Sequence, residues 1–140
     1  MKKLIIVLLL GASYSGHSQV ADSVAIRQTL LDYVEGYYNA DWQRVAKAVH
    51  PELVKRIIMQ DTSGLTAINT QGASLLIIGA KRNKKMEDGP GFKADISIYD
   101  IFKNVALAKV VTNKFSFIDY AQLAKINGEW KIINVLWAFN

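Results

Sequence analysis

The chain has 140 residues, enough for one domain with its own core, and 51% of them are apolar against 21% charged. It contains no cysteine, which excludes disulfides, thiolate metal sites and lipid attachment at a lipobox. The 17 Lys and Arg against 12 Asp and Glu give a net charge of +5, but the basic clusters, Lys81–Lys85 and Lys55-Arg56, are short and lack interleaved aromatics. They read as solvated loops and not as a nucleic-acid footprint.

Residues 1–18 form a separate segment: a basic Met1-Lys2-Lys3, an apolar run from Leu4 to Leu10, then small and polar residues with Gly16 and Ser18 spaced like a peptidase site. This predicts a secretory signal peptide, too short to span a bilayer, followed by one domain over 19–140. The mature protein is then periplasmic or secreted, has no membrane association, and loses the charges of Lys2 and Lys3. Without cysteines in an oxidising space, it must rely on its core alone.

Asp22 is placed to cap a helix running to about Tyr38, with Ile26, Leu30, Tyr33, Val34 and Tyr37 on one buried stripe. Gly36 weakens that helix by about 1 kcal/mol relative to Ala, which suggests close approach of another backbone. Asn39 suits the helix end, and Asp41 can cap a second helix that stops at His50 before Pro51. Leu53–Gln60 and Leu65–Asn69 read as strands about an Asp61–Gly64 turn, and Thr70 as the cap of a third helix burying Leu75, Leu76 and Ile78. Asn83–Gly91 is a long loop. From Phe92 the period becomes two, giving strands about 92–101, 105–112, 115–126 and 129–137. Asn127-Gly128 between the last two is a strong hairpin signal. The expected architecture is α+β, with three helices packed against one face of a curved antiparallel sheet and a pocket between them.

No phosphate loop, zinc motif or nucleophile elbow occurs, and His50 is the single histidine after residue 18. No metal and no cofactor is therefore expected. Asp119, set among apolar and aromatic residues, is the candidate catalytic group, since burial raises a carboxyl toward general acid–base work. It would otherwise lie on the outer face, paired with a Lys or Arg. His50 is either a polar group at the pocket mouth or a brace for the turn beside Pro51. Tyr33, Tyr37, Trp42 and Trp137 are candidate walls for a flat ligand such as a pterin or flavin fragment, and equally candidate core. Tyr120 belongs to the pocket or to a subunit contact.

Four stretches carry a family resemblance: Asp32–Asp41 (DYVEGYYNAD), His50–Arg56 (HPELVKR), Phe117–Leu123 (FIDYAQL) and Asn127–Trp137 (NGEWKIINVLW). In these the chain resembles the nuclear transport factor 2-like superfamily, and within it the family named putative lumazine-binding. The resemblance implies a cone-shaped fold, binding of a small apolar or aromatic ligand, and a homodimer formed through the open face of the sheet. The superfamily also includes isomerases, dehydratases, hydrolases and non-catalytic assembly domains, which implies as alternatives an enzyme with Asp119 as base, assisted by His50 or Tyr33, or a pure interaction domain. Gln122 stands where the family pattern Asp-Tyr-x-His-Leu has His, so no role for an imidazole at that position carries over.

Overall fold

The computed structural model describes the backbone of residues 7–85 and 91–140, with side chains from residue 19 onward in those ranges. The predicted signal segment, 1–18, and the loop residues 86–90 lie outside the described side chains. In chain order the elements are α1 (Val7–Tyr38), α2 (Trp42–Ala48), β1 (Val49–Gln60), β2 (Thr66–Gly72), α3 (Ala73–Arg82), β3 (Ala94–Phe102), β4 (Val105–Thr112), β5 (Phe117–Ile126) and β6 (Glu129–Phe139).

The expected stripe on α1 is buried: Ile26, Leu30, Tyr33 and Val34 are all within the core, and Tyr37 packs at its edge. Asp22 does not cap this helix, because α1 runs through it. Its carboxylate instead accepts from Lys125 Nζ at 2.7 Å and Trp130 Nε1 at 2.9 Å, tying α1 to the final hairpin. Gly36 does serve close approach: a Cβ there would stand 3.0 Å from Arg44 Cβ and 3.1 Å from the Asp41 carbonyl. After Tyr38 the left-handed residue is Ala40, with φ of 59°, and not Asn39. Asp41 caps α2 as expected, accepting from the Arg44 amide at 3.1 Å. Arg44 in turn reaches Asp32 at 3.0 Å and Glu35 at 2.8 Å on α1.

Thr70 is not a helix cap. It lies in β2, which continues to Gly72, and the cap position of α3 falls to Gly72 without a side-chain bond. The starting point of α3 is thereby shifted, and its buried side is Ala73, Leu76 and Ala80. Leu75 and Ile78 face outward.

The sheet has six strands in the order β2-β1-β6-β5-β4-β3. The β3–β6 meander is antiparallel as expected, with Asn127 and Gly128 both at positive φ, 52° and 83°, in the two-residue turn. The sheet as a whole is mixed, because β1 runs parallel to β6. That pairing joins residues 80 or more positions apart, so no local signal announces it. The helices pack on the concave side over Ala106, Ala108, Val110, Ala121, Leu123, Ile132 and Val135.

A bulge decides which residues of β6 face inward. Ile132 pairs with Leu123 and Asn134 with Gln122, so Ile133 has no partner across β5. Before it the even-numbered Trp130 and Ile132 are buried, and after it the odd-numbered Val135 is buried with Trp137 behind it. A similar extra residue, Tyr99, lies in β3.

Candidate functional site

Inward parity on β1 selects Leu53, Lys55 and Ile57. A lysine on the buried side of a strand needs a counter-charge. Asp119 supplies it from β5, where it is fully buried: Lys55 Nζ donates to Asp119 Oδ1 at 2.9 Å. Tyr33 closes the ring, donating its hydroxyl to Asp119 Oδ2 at 2.8 Å while its oxygen accepts from Lys55 Nζ. Three elements distant in sequence, α1, β1 and β5, are thus joined by one closed set of hydrogen bonds. Both carboxylate oxygens are engaged.

The Lys55 ammonium also sits among aromatic rings, 5.3 Å from the Tyr33 centroid and 5.0 Å from those of Phe117 and Trp137. Burial pushes this ammonium below its ordinary pKa, with Asp119 acting in the opposite sense. Burial, reinforced by the Asp119 carboxylate, pushes the Tyr33 phenol well above its ordinary value, so it remains a hydrogen-bond donor.

Against this cluster lies a cavity of about 250 Å³ lined by Tyr33, Val34 and Tyr37 of α1, Lys55 of β1, Gln71 of β2, Leu76 of α3, and Phe115, Phe117 and Trp137. Its volume lies just below the range of about 300–1,000 Å³ common for ligand pockets. Gln71 lines it because it pairs with Lys55 across the β1–β2 ladder. Phe115 stacks on Phe117 at 5.1 Å, and Phe117 meets Trp137 edge-on at 5.6 Å, forming a continuous aromatic wall. Tyr37 rests edge-on against Phe115 at 6.0 Å, and its hydroxyl lies against Gly79 of α3, where a Cβ would be 3.1 Å away.

Of the residues singled out from sequence, Tyr33, Tyr37 and Trp137 line the cavity, and Asp119 lies directly behind it through Tyr33 and Lys55. Three do not. Trp42 opens α2 and packs against the core outside the cavity lining, with Lys81 Nζ 5.3 Å from its ring centroid. His50 sits near the start of β1, where its Nδ1 accepts from the Glu52 amide at 3.2 Å across Pro51, which lies within the strand and not in a turn. Tyr120 points outward and is 42% exposed, because its neighbour Asp119 points in. Gln122 shares that outer face, accepting from Asn134 Nδ2 at 3.0 Å, so the departure from the family pattern falls away from the cavity.

Lys55, Gln71, Phe115 and Phe117 were not anticipated as site residues. Lys55 reads as part of a solvated Lys-Arg pair until its place between Leu53 and Ile57 is weighed. Among the described residues no cluster of His, Asp and Glu is arranged to hold a metal, and no helix is long and apolar enough to cross a membrane.

Helices on a curved sheet with a cavity between them define a nuclear transport factor 2-like fold. Solved structures of the same fold include a nuclear transport factor 2-like protein of unknown function from Shewanella baltica, with a TM-score of 0.71 and 23% identity over 86% of this chain and 95% of that one. One from Methylobacillus flagellatus has a TM-score of 0.67 and 22% identity over 86% and 94%. A putative scytalone dehydratase from Novosphingobium aromaticivorans has a TM-score of 0.57 and 13% identity over 89% and 88%. Residues 21–138 match the family described as "Putative lumazine-binding", and the chain belongs to that family. No curated protein matches the sequence.

Proposed function

We propose that this is an exported protein that binds a small, flat, largely apolar molecule in the cavity between α1, α3 and the sheet. The observation that carries the reading is the aromatic wall of Tyr33, Tyr37, Phe115, Phe117 and Trp137 closing on one charged group, Lys55. That is the usual composition of a ligand site, an apolar lining with few polar groups that fix orientation. The family description points the same way. Export rests on the composition of residues 1–18, and the cone shape on the family resemblance. Quenching of Trp137 fluorescence during titration with bicyclic aromatic compounds tests the reading. A Trp137→Phe variant assigns the signal, and a full set of such compounds without quenching or thermal stabilisation would refute it.

An enzyme with Asp119 as general base draws support from its 2.8 Å contact with Tyr33 and from a fold shared with a putative scytalone dehydratase and a ketosteroid isomerase-like protein. Weighing against it, both Asp119 oxygens are already hydrogen-bonded, the acid does not itself line the cavity, and His50 lies elsewhere. Binding is the better supported function.

A homodimer is proposed through the outer face of the sheet, where Leu107, Tyr120 and Leu136 are exposed on three neighbouring strands. Sedimentation of the wild type as a dimer and of Tyr120→Lys as a monomer is expected. A monomeric wild type overturns the dimer.

A further inference from the structure

We infer that the Lys55–Asp119 pair makes the cavity selective for a neutral carbonyl acceptor over a carboxylate, with Asp119 the residue that sets this preference. This deepens the binding reading above and rests on it.

The first support is a count of donors. An ammonium carries three N–H groups. Asp119 Oδ1 takes one, at 2.9 Å, and the Tyr33 oxygen takes another. Asp119 Oδ2 is occupied by the Tyr33 hydroxyl at 2.8 Å, so the acid makes no second bond to the ammonium. No described residue accepts the remaining N–H. The nitrogen lies instead over Phe117 and Trp137, both of which line the cavity, and Lys55 lines it too. A molecule lying against those rings would meet a single unused N–H of the ammonium, enough for one carbonyl oxygen.

The second support is charge. Lys55 is the single charged side chain among the described residues lining the cavity, and its charge is offset by an acid with no exposed surface. An entering carboxylate would lose its hydration, find one charged donor already shared with an acid, and stand near the buried Asp119 where screening is weak. Its second oxygen would face aromatic rings whose faces are themselves negative. A lactam, amide or ketone takes the same hydrogen bond without bringing a second negative charge. The other polar wall groups, Gln71 and Tyr37, are uncharged and suit the edge of such a molecule.

The test compares three probes of similar size against the full protein: carbostyril, a neutral bicyclic lactam; naphthoate, the carboxylate; and naphthalene. Carbostyril is expected to bind about tenfold or more tightly than naphthalene, the margin of one hydrogen bond to a charged donor, and more tightly than naphthoate, which must shed the hydration of its charge beside Asp119. In Asp119→Asn the Lys55 charge is no longer offset, and naphthoate should become the tightest of the three. In Lys55→Met/Asp119→Leu, which removes both charges and keeps a packed interior if the single variant fails to fold, carbostyril should lose its advantage over naphthalene. Preferential binding of naphthoate by the wild type, an unchanged order in Asp119→Asn, or a retained lactam preference in the double variant overturns the inference. Binding of none of the three removes the ligand site itself, and with it the proposed function.

Discussion

Lys55 on β1 and Asp119 on β5 are two strands apart, with β6 between them, yet their charged atoms meet at 2.9 Å. Strands lie about 4.8 Å apart, so flat-sheet geometry would leave the two backbones about 10 Å apart across β6. A long lysine side chain, lying over β6 on the concave side, spans that distance. On β6, Val135 stands level with Lys55, and Trp137 level with Asp119. The ion pair therefore crosses the sheet diagonally and forms the floor beneath the aromatic wall.

Breaking this pair from one side should be far worse than removing it whole. Asp119→Leu strands a buried ammonium and Lys55→Met strands a buried carboxylate, each expected to destabilise the fold by about 3–5 kcal/mol. The double variant should recover most of that loss, since well-packed apolar replacements of buried ion pairs are often neutral or better. Urea unfolding midpoints of the three variants check it. A double variant as unstable as the sum of the singles would show that the pair does not act as a unit.

Lys55 should titrate below the ordinary lysine value. Burial lowers its pKa and Asp119 opposes that shift, so the folded-state value lies below the ordinary 10.5 and falls further in Asp119→Asn. NMR of isotopically methylated lysines gives each value. A Lys55 value at or above 10.5 would contradict its burial.

Acid should loosen the attachment of α1 to the last hairpin. Hydrogen bonds from Lys125 and Trp130 hold the Asp22 carboxyl below its ordinary value of 3.8. The folded state then binds protons less readily than the unfolded chain. The stabilisation is complete above that ordinary value and is lost as pH falls through the lowered folded value. In Asp22→Asn the acid limb of the stability–pH curve should flatten, and a limb identical to wild type would exclude Asp22 as its source.

Gly36→Ala sets two effects against each other. Ala raises helix propensity by about 1 kcal/mol. The new Cβ, however, would meet the Asp41 carbonyl at 3.1 Å and Val45 Cγ2 at 3.1 Å, close to the α1–α2 turn. Overpacking of this kind costs about 1–3 kcal/mol, and backbone atoms cannot swing aside. A net loss of about 1 kcal/mol is expected in thermal or urea unfolding. A stabilised variant would mean that α2 moves away without penalty.

Features governed by neighbours in sequence were legible there. The α1 stripe follows from helical spacing, the Asn127-Gly128 hairpin from turn chemistry, and Asp41 from its capping position. Asp22 misled because a good capping residue before an apolar stripe looks the same when a distant tryptophan and lysine hold it mid-helix. At the site, Asp119 stood out as an acid among apolar residues, whereas Lys55 was hidden by Arg56 beside it. Alternation from Leu53 to Ile57 would have exposed it, since both flanking residues of that parity are apolar. The parallel β1–β6 pairing and the bulge at Ile133 had no local signature, so Trp137 could not be assigned a side from sequence.

The unpaired Ile133 means that β6 contains two possible frames. Without the offset, Asn134 and Leu136 would turn toward the helices, and Trp137 would face solvent. The unshifted frame would carry the Asn134 amide inside, away from Gln122 and Arg56, its outer-face partners. A buried amide stripped of partners costs about 1–3 kcal/mol, enough to disfavour that frame. One polar residue outside the cavity thus acts as a proofreading mark for the strand, and the wall that a ligand would touch depends on a side chain it never meets.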